Sequence, residues 1–94
     1  DHDFGPNDSD WSYRMRDVSL KIFKDYWANA QYGTARAPGV YGSFEWSDVE
    51  FFLLDNRYYR SANRAPDKES KQMFGDAQLS WLEDALASSR APFK

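Results

Sequence analysis

The first ten residues carry the densest set of side chains that could bind a metal ion. Around Gly5 and Pro6 lie four carboxylates, an imidazole and a carboxamide: Asp1, Asp3, Asp8, Asp10, His2 and Asn7. Such donors, crowded on an irregular loop, are the ligands that hard and borderline cations need. The spacing does not fit a calcium-binding helix–loop–helix, because Gly5 falls one position early and no Glu closes a twelve-residue loop. An acidic terminus is also typical of a solvated tail, so spacing alone leaves both interpretations open.

A second group of charged side chains follows a short apolar run. Five of the six residues from Val49 to Leu54 are apolar, which favours a strand buried on both faces. Asp55, Arg57 and Arg60 follow directly, and the carboxyl ends of strands are where open α/β sheets bind ligands. A solvated loop with ordinary ion pairs is the alternative, and the pattern favours neither.

Length and composition limit the classes of protein to consider. Ninety-four residues allow one small domain. The net charge of −3, with both signs interspersed, argues against a nucleic-acid footprint or a basic membrane-binding face. The absence of Cys excludes disulfides and cysteine-based catalysis or metal sites. No apolar run reaches membrane-spanning length. Because the chain starts at Asp1 without an initiator Met, we expect a piece of a longer protein.

Two segments predict amphipathic helices. The first covers residues 11–29, with Asp10 or Ser12 as its amino-terminal cap. Its apolar stripe is formed by Met15, Val18, Ile22 and Tyr26. The adjacent row carries Ser19, Phe23 and Trp27. The second covers residues 76–89, with Asp76 as its cap. Its predicted buried face consists of Leu79, Leu82 and Leu86. Trp81 and Ala85 flank that face.

Between the helices, residues 40–56 predict a β-hairpin. The outer strand would be Tyr41–Trp46, with Gly42 at a bulge, and Ser47-Asp48 would form the turn. Residues 61–70 predict an exposed loop, and another strand could begin at residues 91–94. The expected fold class is therefore α+β, with two amphipathic helices packed on a small sheet.

The order of three segments resembles one family. Asp1–Asp10 resembles the metal-site loop of alkaline phosphatase D-like metallophosphoesterases. Gly42–Arg60 resembles the family's strand and its D-x-R-x-x-R exit, and Met73–Leu82 is similar to its glycine-capped helix. Asn56 departs from the Thr that the family often has there. Residues 1–94 are therefore identified as an internal piece of such a catalytic domain.

The resemblance implies a parent with a four-layer α/β/β/α fold and a two-metal centre that hydrolyses phosphomonoesters or phosphodiesters. Asp1 matches a metal ligand of the family. His2 matches the imidazole that contacts phosphate or protonates the leaving oxygen. Asn7 and Asp8 would lie near the metal, either in contact with it or beside the residues that bind it. Arg57 and Arg60 would bind phosphate or brace the loop by pairing with Asp55 or other acidic neighbours.

The resemblance also implies cofactors, partners and location. The parent would use divalent or mixed metal ions and a phosphate ester substrate, and would be periplasmic or secreted. With one His, these 94 residues cannot supply the ligands of two metal ions, so we expect weak metal binding and no activity from the piece alone. A truncated sheet would leave an open edge, which makes self-association plausible.

Two other classes stay open. The chain could be an aromatic-rich binding module, which a surface cluster of Trp11, Trp46 and Tyr58 would favour. It could instead be a structural interaction domain without catalysis, in which case the acidic terminus would lie far from Arg57.

Overall fold

A computed structural model describes residues 4–94 of the chain. These residues form helix α1 (Arg16–Tyr26), strands β1 (Gly42–Trp46) and β2 (Val49–Leu53), and helix α2 (Asp76–Ser88). The two strands pair as a two-stranded antiparallel sheet. Two helices and one hairpin confirm the predicted α+β class of this fragment. Within residues 4–94, neither helix has the length and apolar character needed to cross a membrane.

The hairpin has a regular register through its whole length. Trp46 pairs with Val49 across the two-residue turn, and Gly42 pairs with Leu53 at the other end. The predicted bulge at Gly42 is therefore wrong. A Cβ on Gly42 would lie 2.7 Å from Cβ of Gln31, so this position needs glycine because the 31–33 segment approaches closely.

Strand β2 is covered less completely than a strand buried on both faces would be. Phe52 is partly buried, but Phe51 and Leu53, on the opposite side of the strand, are exposed. The ring of Phe51 stacks at 5.0 Å on Phe44 of β1. The predicted burial on both faces is therefore wrong: the ring of Trp81 lies 6.4 Å from that of Phe52 on one side of the sheet, while Phe51 and Leu53 on the other side are exposed.

The carboxyl-terminal segment returns to the free edge of β2. Phe93 forms an isolated parallel bridge with Val49. The N–H of Glu50 donates to the carbonyl of Phe93 at 3.0 Å, and the N–H of Phe93 donates to the carbonyl of Asp48 at 3.1 Å. Residues 91–94 therefore carry the start of strand pairing that the sequence suggested.

Helix α1 is shorter than predicted and presents a different face. It begins at Arg16, because residues 11–15 form turns in which the Asp10 carboxylate accepts from the N–H of Ser12. Leu20 is the buried residue of the helix, and Phe23 is partly buried. The stripe predicted to face the core is exposed: Met15, Val18, Ile22 and Tyr26.

Helix α2 matches its predicted range to within one residue, but the side of the helix that is buried differs from the predicted one. Gly75 rather than Asp76 is the N-cap, with a left-handed φ of 78°. Leu79 and Leu86 are exposed, and the covered row is Gln78, Trp81, Leu82 and Ala85. This side of the helix is buried because Trp81 packs on the rest of the protein: its ring lies 5.0 Å from that of Tyr41 and 6.4 Å from that of Phe52.

The best-buried side chains surround the end of β2. The buried apolar residues among those described are Leu20, Ala37, Tyr41 and Tyr58, and the buried polar ones are Asp55 and Gln78. The end of β2, the first turns of α2 and the 37–41 connector meet there. This junction positions the segment that the sequence marked as a candidate site.

Candidate functional site

Asp55 lies two residues beyond the end of β2, and its carboxylate accepts three backbone hydrogen bonds. The residue is 4 % exposed. Its Oδ1 accepts from the N–H groups of Arg57 at 2.9 Å and Tyr58 at 3.0 Å, and its Oδ2 accepts from the N–H of Val40 at 3.0 Å. A carboxylate held in this way fixes the path of the chain beyond the strand. Asp55 therefore organises the segment that follows β2, residues 55–60, which we call the exit segment. The solvated-loop interpretation does not hold for Asp55.

Gln78, in the first turn of α2, links this helix to the backbone of Asp55. The residue is 1 % exposed. Its Oε1 accepts from the N–H of Asp55 at 2.7 Å, and its Nε2 donates to the carbonyls of Asp55 at 2.8 Å and Phe74 at 2.9 Å. The sequence interpretation missed Gln78. The one signal for Gln78 in the sequence was its helical spacing: it precedes Trp81, Leu82 and Ala85 by three, four and seven residues, which places all four on one face of the helix.

Tyr58 connects the exit segment to α1. Its ring is buried, and its hydroxyl donates to the carboxylate of Asp17. The guanidinium of Arg16 lies 4.8 Å from the ring centroid. Burial, and then the hydrogen bond to Asp17, raises the pKa of Tyr58 to about 12. Because Trp11 and Trp46 are exposed but Tyr58 is buried, the three do not form the surface cluster that would favour an aromatic binding module.

The acidic loop of residues 4–10 meets the same exit segment through Arg60. Nη2 of Arg60 lies 3.9 Å from Oδ1 of Asp8 and also donates to the side-chain oxygen of Asn63. The N–H of Trp11 donates to the carbonyl of Arg60 at 2.9 Å. Hydrogen bonds from Ser12, with a smaller attraction from Arg60, lower the pKa of Asp10. The charged loop and the D-x-R-x-x-R segment are thus in direct contact.

A cavity of about 120 Å³ lies where the loop, α1 and the exit segment come together. Its lining combines an apolar wall with the polar groups beyond β2: Phe4, Ser19, Leu20, Phe23, Val40, Leu54, Asp55, Asn56, Arg57 and Tyr58. The ring of Phe4 lies 6.4 Å from that of Tyr58. Phe4 and Arg57 therefore share one cavity, whereas a structural domain of the kind considered above would separate them.

The predicted site residues divide into two sets. Asp1 and His2 lie outside the described residues. Asn7 and Asp8 are exposed on the loop, and Arg57 and Arg60 are partly buried. In the range 4–94, no three His, Asp or Glu side chains group as metal ligands. The described residues therefore do not fit a metal ion by themselves, although their cations can bind an anionic group.

Comparison with known proteins identifies the family. A family model described as PhoD-like phosphatase matches residues 7–94. Searches of the curated proteins and of the solved structures gave no significant match. The family match spans the acidic loop after Pro6, the hairpin, the exit segment and both helices. The chain therefore belongs to the PhoD-like phosphatase family, and this membership indicates a phosphatase-type function.

Proposed function

We propose that the full-length protein carrying these residues is a metal-dependent phosphoric ester hydrolase that acts on phosphomonoesters or phosphodiesters. The observation that carries the proposal is the family match over residues 7–94. The contact between the acidic loop and the exit segment supports it, because the two segments that resemble the family's site are neighbours in the fold.

Within this proposal, Asp1 binds a metal ion, and Asn7 and Asp8 lie near the metal. These roles rest on the family resemblance, because the described residues assemble no metal ligands. Metal ions in such sites polarise the phosphoryl oxygens and activate water. In this proposal the full-length protein binds divalent or mixed metal ions.

His2 is the proposed catalytic residue. An imidazole beside a phosphate can stabilise the charge that develops or donate a proton to the leaving oxygen at neutral pH. Arg57 and Arg60 are the candidate phosphate-binding or bracing cations. A guanidinium can bind two phosphate oxygens at once. The backbone N–H of Arg57 donates to the carboxylate of Asp55, which fixes the path of the chain at Arg57.

The proposal extends to the isolated piece and to location. We expect the 94 residues alone to bind metal weakly and to be inactive. We also expect the piece to self-associate through an open edge of its two-stranded sheet. The family resemblance supports an extracytoplasmic location for the parent.

His2→Ala in the full-length protein tests the catalytic assignment. If His2 is a general acid, kcat for nitrophenyl phosphate should fall by about 10²- to 10⁴-fold. Glu69→Gln, which changes an exposed side chain in the 61–70 loop, is the control and should leave kcat unchanged. An unaffected kcat in His2→Ala would remove His2 from the mechanism.

A further inference from the structure

The two arginines of the exit segment occupy different surroundings. Arg57 lines the cavity that also contains Phe4 and Tyr58. Arg60 does not line that cavity. It lies in a second, open depression formed with residues 61–73. A phosphate bound in the first cavity would therefore meet Arg57 and not Arg60.

The contacts of Arg60 point toward the acidic loop. Its side chain is only 17 % exposed, and its guanidinium lies between Asp8 and Asn63. Its carbonyl accepts from the N–H of Trp11. Side chain and backbone of one residue thus hold the loop at two points three residues apart.

Two features of Asp8 indicate that a contact with Arg60 stabilises the acidic loop. Asp8 carries a carboxylate, which a nearby cation such as that of Arg60 attracts. Asp8 also adopts a φ of 63°, a left-handed conformation that costs energy for a non-glycine residue, although less for Asp than for most others. The contact between Arg60 and Asp8 supplies a tertiary restraint at this residue.

We propose that Arg60 is a positioning residue that holds the acidic loop against the strand exit, and that Arg57 is the arginine of this segment that meets the substrate phosphate. The inference deepens the proposed function and rests on it for the role of Arg57. It divides between two residues the phosphate-binding and bracing roles that the sequence left open for both.

Matched variants of the full-length protein separate the two roles: Arg60→Gln, Arg60→Lys, Asp8→Asn, Arg57→Gln and, as control at an exposed site, Arg64→Gln. Two measurements are made on each. Amide hydrogen exchange of residues 4–13 without substrate reports how firmly the loop is held. The inhibition constant of inorganic phosphate, with kcat and KM for nitrophenyl phosphate, reports binding and turnover.

We expect Arg60→Gln and Asp8→Asn to speed exchange at Trp11 by about two- to fivefold, equivalent to about 0.4–1 kcal/mol, because the ion pair is 3.9 Å long and the Asp8 side chain is 57 % exposed. Arg60→Gln should lower kcat by about tenfold and leave the inhibition constant of phosphate within about twofold, because the loop and not the anion site is loosened. Arg60→Lys should recover part of both losses, since the ammonium keeps the charge beside Asp8. Arg57→Gln should raise the inhibition constant about tenfold with normal loop exchange.

The opposite pattern overturns the inference. An inhibition constant raised tenfold in Arg60→Gln with unchanged loop exchange would make Arg60 the phosphate ligand. Unchanged exchange in both Arg60→Gln and Asp8→Asn would remove the bracing contact, and an unchanged inhibition constant in Arg57→Gln would remove the role of Arg57. A wild-type protein without hydrolysis would refute the proposed function, while the exchange data would still decide whether Arg60 holds the loop.

Discussion

Replacing Gln78 with Leu removes the buried amide that ties the end of β2 to α2. The new side chain has a similar volume, so the main change is the loss of three hydrogen bonds. The N–H and carbonyl of Asp55 and the carbonyl of Phe74 would lose their Gln78 partners. In the folded protein the two groups of Asp55 are shielded from water, because Asp55 is 4 % exposed.

The expected cost follows from these groups. An unsatisfied buried polar group costs about 1–3 kcal/mol. The carbonyl of Phe74 is part-buried and can recover some hydration, so we expect a total loss of about 3–5 kcal/mol. A chain of 94 residues has about 5–14 kcal/mol of stability at typical values per residue. Gln78→Leu should therefore remove a large fraction of the free energy of unfolding.

Urea denaturation followed by tryptophan fluorescence measures this loss. The emission reports on the junction, because Trp81 packs against Tyr41 and Phe52. Gln72→Leu is the matched control, since Gln72 is exposed and its recorded hydrogen bonds involve its backbone only. The control should change stability by less than about 0.5 kcal/mol. A loss below about 1 kcal/mol in Gln78→Leu would refute the structural role given to this amide.

Two further predictions concern the same junction. The pKa of Tyr58 rises from 10.0 to about 12 on folding, so the unfolded state loses this proton first. The wild type should therefore lose about 2 kcal/mol of stability as pH rises from 10 to 12. Urea unfolding from pH 8 to 12 should show this component absent in Tyr58→Phe, and an identical alkaline loss in the variant would contradict the assignment. Gly75→Ala should destabilise the protein by about 1–3 kcal/mol, because φ is 78° and the new Cβ would lie 3.0 Å from Cγ of Tyr59. Ser80→Ala, at an exposed position of the same helix, is the control, and equal melting temperatures for the two variants would contradict the predicted strain.

Local signals in the sequence were sufficient for much of the fold. The apolar run from Val49 predicts β2, and the cap signal at Asp76 predicts the start of α2 to within one residue of the observed N-cap, Gly75. These features need only neighbouring residues, so the α+β class and the hairpin could be predicted. The start of α1 could not, because the turns of residues 11–15 depend on local hydrogen bonds such as that from Ser12 to Asp10.

Burial of particular faces could not be predicted from apolar spacing. Leu79 is more apolar than Gln78, yet the glutamine is buried because its amide meets the backbone at Asp55, which lies 23 positions away in the sequence. The contact between Tyr58 and Asp17 likewise spans 41 positions. Such pairs depend on tertiary packing. The sequence therefore marked the charged residues of the candidate site but not the polar groups that hold them in place.

Hydrolysis of nitrophenyl phosphate before and after chelation most directly tests the central claim that this PhoD-like phosphatase is a metal-dependent hydrolase in its full-length form. We predict that a chelator lowers turnover by the full-length protein at least about 100-fold and that added metal restores it. The 94-residue chain, assayed alongside, should show no turnover under any of these conditions. Hydrolysis by the full-length protein that is unaffected by the chelator would contradict metal dependence. Chelator-sensitive turnover by the 94 residues alone, at the full-length rate, would contradict the need for residues beyond them.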